Sequence, residues 1–345
     1  MRHKGICPLR YHPLFVHTVA DIWVCYFLGL YISSGLIKIS RSDYFNNIKI
    51  IIYSTVANFK KKEDFIMQKR VAAIHDISCF GKCSLTVALP IISAAGIECA
   101  GIPTAVLSTH TGGFSGYTFR DLTEDIMPIA DHWRRENLKF DAVYTGYLGS
   151  VEQIDLVCRA VDTFGDDKTM LIVDPVMADH GKLYGGFPED FPKQMTRLCA
   201  KADIITPNIT EAAFMTDMPY REAPHTKEYI EDLLGALKVI CKGKIVLTGV
   251  SYEAGQIGAL CYDGNTTEYI STEHIDAAYH GTGDIFTSTL TCGILRDLPL
   301  FAAAQIAARY TADCISLTKE HYPEMKYGVN FEAQIPNLLK LLSII

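Results

Sequence analysis

The chain contains no low-complexity tract and no repeat of solenoid period. Neither an array of small repeats nor a long disordered region is its organising plan. Nor does it group its cysteines. The eleven are odd in number and scattered along 345 residues, which speaks for reduced cytosolic thiols and against a disulfide framework. Cys79 and Cys83 are the one close pair. No further Cys or His is grouped around them, so buried structural thiols are expected there and a metal site is not.

Positive charge is scarce where most of the chain lies. The net charge is −7, but residues 1–66 hold nine Lys/Arg against four Asp/Glu, leaving 23 against 35 for the rest. An acidic body speaks against nucleic acid as the main partner, because backbone phosphates need clustered Lys and Arg. It leaves room for a small phosphate ligand held by backbone N–H groups and a metal ion. What is present is the composition of a folded core, 49% hydrophobic and 21% charged. The length allows one large α/β domain or two smaller ones.

The first 66 residues differ from the remainder. Leu14 to Ile37 is apolar over 24 residues, interrupted by His17 and Asp21. That is long enough to span a bilayer, although Asp21 is expensive in hydrocarbon. Lys38, Arg41, Lys49 and Lys60 to Lys62 follow it and would place the body in the cytoplasm. No small-residue cleavage site follows cleanly, which speaks against a secretory signal. A misassigned start competes with a membrane segment, since Met67 stands just before the point where α/β patterning begins. The expected division is an N-terminal extension at 1–66, of either origin, and a single domain at 67–345.

From residue 70 onward short apolar runs alternate with helical stretches. "RVAAIHD" (70–76), "DAVYTG" (141–146), "TMLIVDP" (169–175), "ADIITPN" (202–208) and "KIVLTG" (244–249) read as buried strands. Residues 150–164 and 226–242 carry apolar side chains at helical spacing. The alternation predicts a largely parallel sheet with helices on both faces. The turn-rich centre of 257–272 predicts a hairpin.

Ligands of such sheets bind beyond the carboxyl ends of the strands. Polar residues sit at five of those ends: Asp76; Thr145 with Tyr147; Asp174 with Asp179; Thr206, Asn208 and Glu211; and Thr248. Singly, each reads as a turn or a cap. Asn208 with Glu211 three residues on also has the spacing of an N-terminal capping box.

The stretch "YHGTGDIFTSTLTCG" (279–293) adds chemistry. Gly281 and Gly283 can adopt backbone angles closed to other residues, and the run from 284 to 295 reads as a buried helix. A glycine loop opening a helix aims free N–H groups and the positive dipole end at one spot, which attracts phosphate oxygens. Asp284 at that spot could be a simple cap. A carboxylate beside phosphate-binding glycines is also what an alcohol needs to attack a γ-phosphoryl group. The stretch is not a Walker A loop, since the Gly-Lys-Ser/Thr ending is missing.

Taken together, "IHDISCFGKCS", "LSTHTGGF", "YTGYLGS", "DPVMADHG", "TPNITEA", "VLTG" and "GTGDIF" resemble the ribokinase-like superfamily, and within it the pyridoxal (vitamin B6) kinases, over residues 70 to 343. The resemblance implies a ribokinase-like three-layer sandwich and ATP-dependent phosphorylation of the 5′-hydroxymethyl group of pyridoxal, pyridoxamine or pyridoxine. It implies ATP and Mg²⁺ as cofactors, allows a monovalent cation such as K⁺, and suggests a cytoplasmic homodimer. By motif, Asp284 would be the general base, and the amides of Gly281, Thr282 and Gly283 the anion hole. Asn208, Glu211 and Thr248 would serve the nucleotide phosphates, Asp174 and Glu211 the metal, and Asp76, Thr111 and Tyr147 the pyridine ring. One departure stands out: many pyridoxal kinases have serine where this chain has Asp76.

Hydroxymethylpyrimidine kinase is the nearest rival. Many such enzymes carry Cys where this chain has Asp284. A non-catalytic vitamin or nucleotide binder, with membrane contact only through 14–37, also competes, as does a sugar or nucleoside kinase of the same superfamily.

Overall fold

The computed structural model describes residues 68–345 apart from residue 326. The candidate membrane segment at 14–37 and the question of the start site lie outside the described residues. Among the described residues no helix is long and apolar enough to cross a membrane.

The chain enters the sheet with β1 (Arg70–Ser78), followed by α1 (Leu85–Ala94), β2 (Glu98–Leu107) and the short β3 (Phe119–Asp121). Then come α2 (Thr123–Arg135), β4 (Ala142–Thr145), α3 (Val151–Phe164) and β5 (Met170–Val173). A two-stranded ribbon, β6 (Ala178–Asp179) with β7 (Lys182–Leu183), precedes α4 (Phe191–Cys199), β8 (Ile204–Ile205), α5 (Ile209–Met215) and α6 (Lys227–Ile240). Last are β9 (Lys244–Val250), β10 (Gln256–Tyr262), β11 (Thr267–Glu273), α7 (Thr282–Leu295), α8 (Leu300–His321) and α9 (Ile335–Leu341).

Nine strands form one sheet in the order β11-β10-β9-β8-β5-β4-β1-β2-β3. The six from β9 to β2 are parallel, and antiparallel strands close both edges. The expected hairpin is β10–β11. Successive strand residues bury on opposite faces, as a two-residue period requires. Val143, Leu171, Val173, Ile205 and Leu247 pack on the side of α2 to α6. Ala142, Tyr144, Ile172, Ile204 and Val246 pack on the side of α1, α7, α8 and α9. The result is the three-layer α/β sandwich that the alternation predicts.

Local chemistry starts the helices. Ser150 accepts the amide of Gln153 at α3, and Thr226 that of Tyr229 at α6, as N-cap residues do. Helix α7 is buried from Ile285 to Leu295. Its small Thr, Ser and Gly residues let it nest among its neighbours: a Cβ on Gly293 would come within 2.7 Å of the Ala303 side chain.

The strand ends line up through main-chain hydrogen bonds. Gly146 N donates to Ile74 O, Asp174 N to Thr145 O, Thr206 N to Val173 O and Thr248 N to Pro207 O, at 2.9 to 3.1 Å. Strand β8 is shorter than its apolar run. Pro207 lacks an N–H to continue the ladder, and Asn208 already begins α5.

Candidate active site

The phosphate-attracting loop has the expected form with one difference. Gly281 is the N-cap of α7 with φ 78°, a left-handed conformation open mainly to glycine. Gly283 instead lies inside the first turn, so the helix begins at Thr282 and Asp284 is its third residue. Asp284 caps nothing, since no side-chain cap bond forms at this end. Gly281 is pressed against the β1–α1 loop, where a Cβ would strike the Lys82 carbonyl oxygen and approach the Cys83 Cα to 3.3 Å. Free amides and a carboxylate are thus held together at the mouth of a buried helix.

The Asp284 carboxyl is raised to about 7, first by burial and also by the charge of Asp76, while the Ser84 amide opposes the shift. A carboxyl poised near neutrality suits general base chemistry. It remains half-buried, so it is not shut into the core. Asp174 lies close by: a Cβ on Gly283 would sit 3.9 Å from Asp174 Oδ2. Thr287 Oγ1 donates to Asp174 Oδ2 at 3.3 Å or to Thr206 Oγ1 at 3.1 Å. Burial, then the Asp284 charge, pushes the Asp174 carboxyl up. Beneath them the hydroxyls of Tyr144 and Ser288 are buried without a partner.

One strand further on, Asn208 and Glu211 form a reciprocal capping box on α5. Asn208 Oδ1 accepts the Glu211 amide at 2.9 Å, and Glu211 Oε2 accepts the Asn208 amide at 2.8 Å. The box also reaches across the fold. Glu211 Oε1 accepts the Met177 amide at 3.2 Å, and Asn208 Nδ2 donates to Ala178 O at 2.8 Å. Burial, then the charge of Asp174, pushes the Glu211 carboxyl well up. Thr248 pairs with Asn208 in a parallel bridge, which brings the β9 end beside this cap.

On β1, Asp76 is buried and accepts the Ser78 hydroxyl at 3.1 Å. It lies where β1–β2 pairing jumps from His75–Pro103 to Ile77–Val106, an irregularity of the kind that re-aims a side chain. Tyr147 is half-buried, with its ring 5.5 Å from that of Phe187. Its phenol is pushed up to about 12 by burial and then by the charge of Asp76. Thr111 is exposed on the β2–β3 connection. Its neighbour His110 makes that connection's contact with the glycine loop, its ring 4.8 Å from that of His280.

The phosphomethylpyrimidine kinase family model matches residues 89–330, more than half of the chain. The chain belongs to the phosphomethylpyrimidine kinase family. The hydroxymethylpyrimidine/phosphomethylpyrimidine kinase of Bacillus subtilis is 32% identical over 225 residues, 62% of this chain and 77% of that protein. A Bacteroides thetaiotaomicron protein assigned to the phosphomethylpyrimidine kinases, solved with pyridoxal, superposes with a TM-score of 0.74 at 35% identity, covering 79% of this chain and 96% of that one. Pyridoxal kinase from Lactobacillus plantarum superposes at 0.72 with 30% identity, covering 80% and 98%. The fold is the ribokinase-like one shared by these kinases.

In this family member the Asp174 carboxylate and the Thr206 and Thr287 hydroxyls beside it offer oxygen, the type Mg²⁺ takes. Beyond burial, the charge of Asp284 raises Asp174, and that of Asp174 raises Glu211; a cation would relieve both. Among the described residues no group of three or more His, Cys, Asp or Glu is arranged to hold a metal. The donor set therefore fits an ion carried in on phosphates and not a dedicated cage.

Two site neighbours escaped the sequence reading. Cys83 is half-buried, and burial, then the charges of Asp284 and Asp76, pushes its thiol up. The Ser84 hydroxyl opposes the rise of the Asp76 carboxyl, and its amide that of Asp284. Both residues lie inside the motif "IHDISCFGKCS", but a cysteine there reads as a structural thiol and a serine before a helical run as a cap. Cys79, expected to be buried, is exposed, and the nine described cysteines are free.

Proposed function

We propose that this kinase transfers the γ-phosphoryl group of ATP to the 5′-hydroxymethyl group of a B6 vitamer. One observation carries the reading. Asp284, poised near neutral pH, stands in the first turn of α7 beside the Gly281 loop and within electrostatic reach of the ring-side Asp76. A single carboxylate then faces both the place where a phosphate is held and the place where an alcohol would arrive.

The vitamer would lie between Asp76 and Tyr147, with Thr111 at the entrance, and its hydroxymethyl group toward Asp284. Asn208, Glu211 and Thr248 would hold the nucleotide phosphates at the neighbouring strand ends. The substrate oxygen attacks the γ-phosphorus, the bond to the β–γ bridging oxygen breaks, and Asp284 takes the hydroxyl proton. The products are ADP and the vitamer 5′-phosphate. The amides of Gly281, Thr282 and Gly283, at the positive end of α7, stabilise charge on the moving phosphoryl oxygens. Asp174 and Glu211 would hold Mg²⁺, which when bound neutralises phosphate charge.

Pyridoxal in the Bacteroides protein at 35% identity supports the vitamer. The Bacillus relative at 32% identity favours hydroxymethylpyrimidine as the second reading. An ADP-release assay with pyridoxal, pyridoxamine, pyridoxine and hydroxymethylpyrimidine decides between them. A B6 vitamer is expected to show the highest kcat/KM. Preference for the pyrimidine would replace the reading. Asp284→Asn is expected to lower kcat by roughly a hundredfold to ten-thousandfold with ATP binding retained. Near-normal turnover would remove Asp284 from the role of base.

A further inference from the structure

Lys82 lies in the β1–α1 loop with its main chain between two glycines from distant segments. On one side is Gly281, whose Cβ would strike the Lys82 carbonyl oxygen. On the other is Gly328, at φ 135°, whose Cβ would come within 2.5 Å of Lys82 Cβ and 3.1 Å of the same carbonyl oxygen. Lys82 N donates to Tyr327 O at 2.9 Å. The side chain continues along that segment: Nζ pairs with Glu332 Oε2 and stands 5.6 Å from the centre of the Phe331 ring. A lysine ordinarily keeps its head in water. This one is only 17% exposed and is committed to one carboxylate.

The segment that Lys82 grips is itself fixed. Val329 and Phe331 are buried. Tyr310 Oη on α8 donates to Phe331 O at 3.0 Å, and Asn330 N donates to Thr318 Oγ1 at 2.8 Å. The Phe80 ring, two residues before Lys82, stands 4.7 Å from that of Tyr327. The Thr86 hydroxyl is 3.0 Å from Gly81 O and 2.7 Å from Cys83 O, bracing the loop from within. A line of contacts thus runs from α8 through residues 327–332 and Lys82 to Gly281, the N-cap of α7.

Resting on the reading of the Gly281, Thr282 and Gly283 amides as the anion hole, we infer that Lys82 is a positioning residue: its pairing with Glu332 holds the β1–α1 loop as the wall on which the anion-hole loop rests. The pair joins segments 250 residues apart in the chain. Release of Nζ lets the Lys82 carbonyl drift from Gly281, and the amides lose their aim at the moving phosphoryl group. The role needs no contact between the ammonium and a substrate, because Glu332 engages it.

Lys82→Met and Glu332→Gln break the pair from its two sides. Each is expected to lower kcat by roughly tenfold, part of the roughly hundredfold or more that loss of an anion-hole donor costs. KM for ATP and for the best substrate of the ADP-release assay should stay within about twofold. Tm should fall by no more than about 4 °C, as for a partly exposed ion pair. Lys82→Glu combined with Glu332→Lys restores the pair in reverse and should recover most of the lost kcat; no recovery would overturn the inference. An active Glu332→Gln beside an inactive Lys82→Met would overturn it too, by showing that the ammonium itself serves the phosphates. So would a kcat within about twofold of wild type in both single variants, or failure of both to fold, which would make the pair structural. Gly281→Ala run alongside keeps the two readings apart. An active Gly281→Ala sinks the anion-hole assignment, whereas an inactive Gly281→Ala beside fully active Lys82→Met and Glu332→Gln sinks only the role of Lys82.

Discussion

A side chain on Gly281 would collide with the carbonyl oxygen of Lys82. Two loops from opposite ends of the chain, one following β1 and one preceding α7, therefore meet backbone to backbone. The left-handed φ of 78° at Gly281 and this contact demand glycine for separate reasons. Gly281→Ala should cost roughly 2–4 kcal/mol, from the conformational penalty and the overpacking together. Turnover should fall further than stability explains, if the loop's amides form the proposed anion hole. Gly283→Ala is the control. Its Cβ meets only Asp174 Oδ2 at 3.9 Å, and alanine favours a helix by about 0.5–1 kcal/mol. Thermal melts should separate the two variants clearly, with Gly283→Ala at least as stable as wild type.

The raised carboxyl of Asp284 has a consequence for stability. A group whose pKa is higher folded than unfolded holds its proton longer in the folded chain. Its contribution is favourable below the ordinary carboxylate range and is lost as pH rises to about 7. Ligand-free Asp284→Asn should therefore be more stable than wild type at pH 8, with the advantage fading toward pH 4. The whole shift would amount to about 4 kcal/mol, and partial exposure to solvent reduces this to roughly 1–3 kcal/mol. Chemical denaturation across that range checks it. The wild-type kcat/KM should rise through an apparent pKa near 7, because only the carboxylate accepts a proton. No acid limb in that region would contradict the assignment.

Thr287 ties α7 to the sheet. Its buried hydroxyl lies 3.3 Å from Asp174 Oδ2 and 3.1 Å from Thr206 Oγ1. Thr287→Val keeps the shape and removes the donor. The loss should be about 1–3 kcal/mol, since a buried carboxylate is left with a missing partner. It should grow with pH, because burial raises the Asp174 carboxyl and the hydroxyl favours its charged form. A loss independent of pH would show that the bond does not serve the carboxylate.

The sheet and its layers were legible in the sequence because strand and helix periods depend on neighbours close in the chain. The alternation of Ala142, Val143 and Tyr144 across two cores is written in adjacent residues. The capping box of Asn208 and Glu211 was readable for the same reason. Its bonds to Met177 and Ala178, roughly thirty residues away, were not, since they exist only once β5 and β8 are paired. The shortness of β8 shows one local rule yielding to another: the apolar run signals a strand, and Pro207 with the Asn208 cap ends it. Ser84 is the sharpest case. Local chemistry assigns its hydroxyl to the helix, yet it makes no cap bond there and its backbone is left-handed.

Asp76 sets the last expectation. It is a buried carboxylate raised by desolvation, with the Ser84 and Ser78 hydroxyls opposing the shift. Its charge also helps to raise the Asp284 carboxyl. No Lys or Arg is among the groups that perturb either one. A substrate bringing its own positive charge would relieve both carboxylates at once. Pyridoxamine carries an ammonium group that pyridoxine and pyridoxal lack. Wild-type kcat/KM should therefore favour pyridoxamine, and Asp76→Ser should erode that preference by roughly tenfold or more, as expected for a charge-assisted hydrogen bond. Turnover of pyridoxine should suffer less, because serine can still bond a neutral hydroxyl. The three vitamers ranked identically in wild type and Asp76→Ser would show that Asp76 does not read the ring substituent.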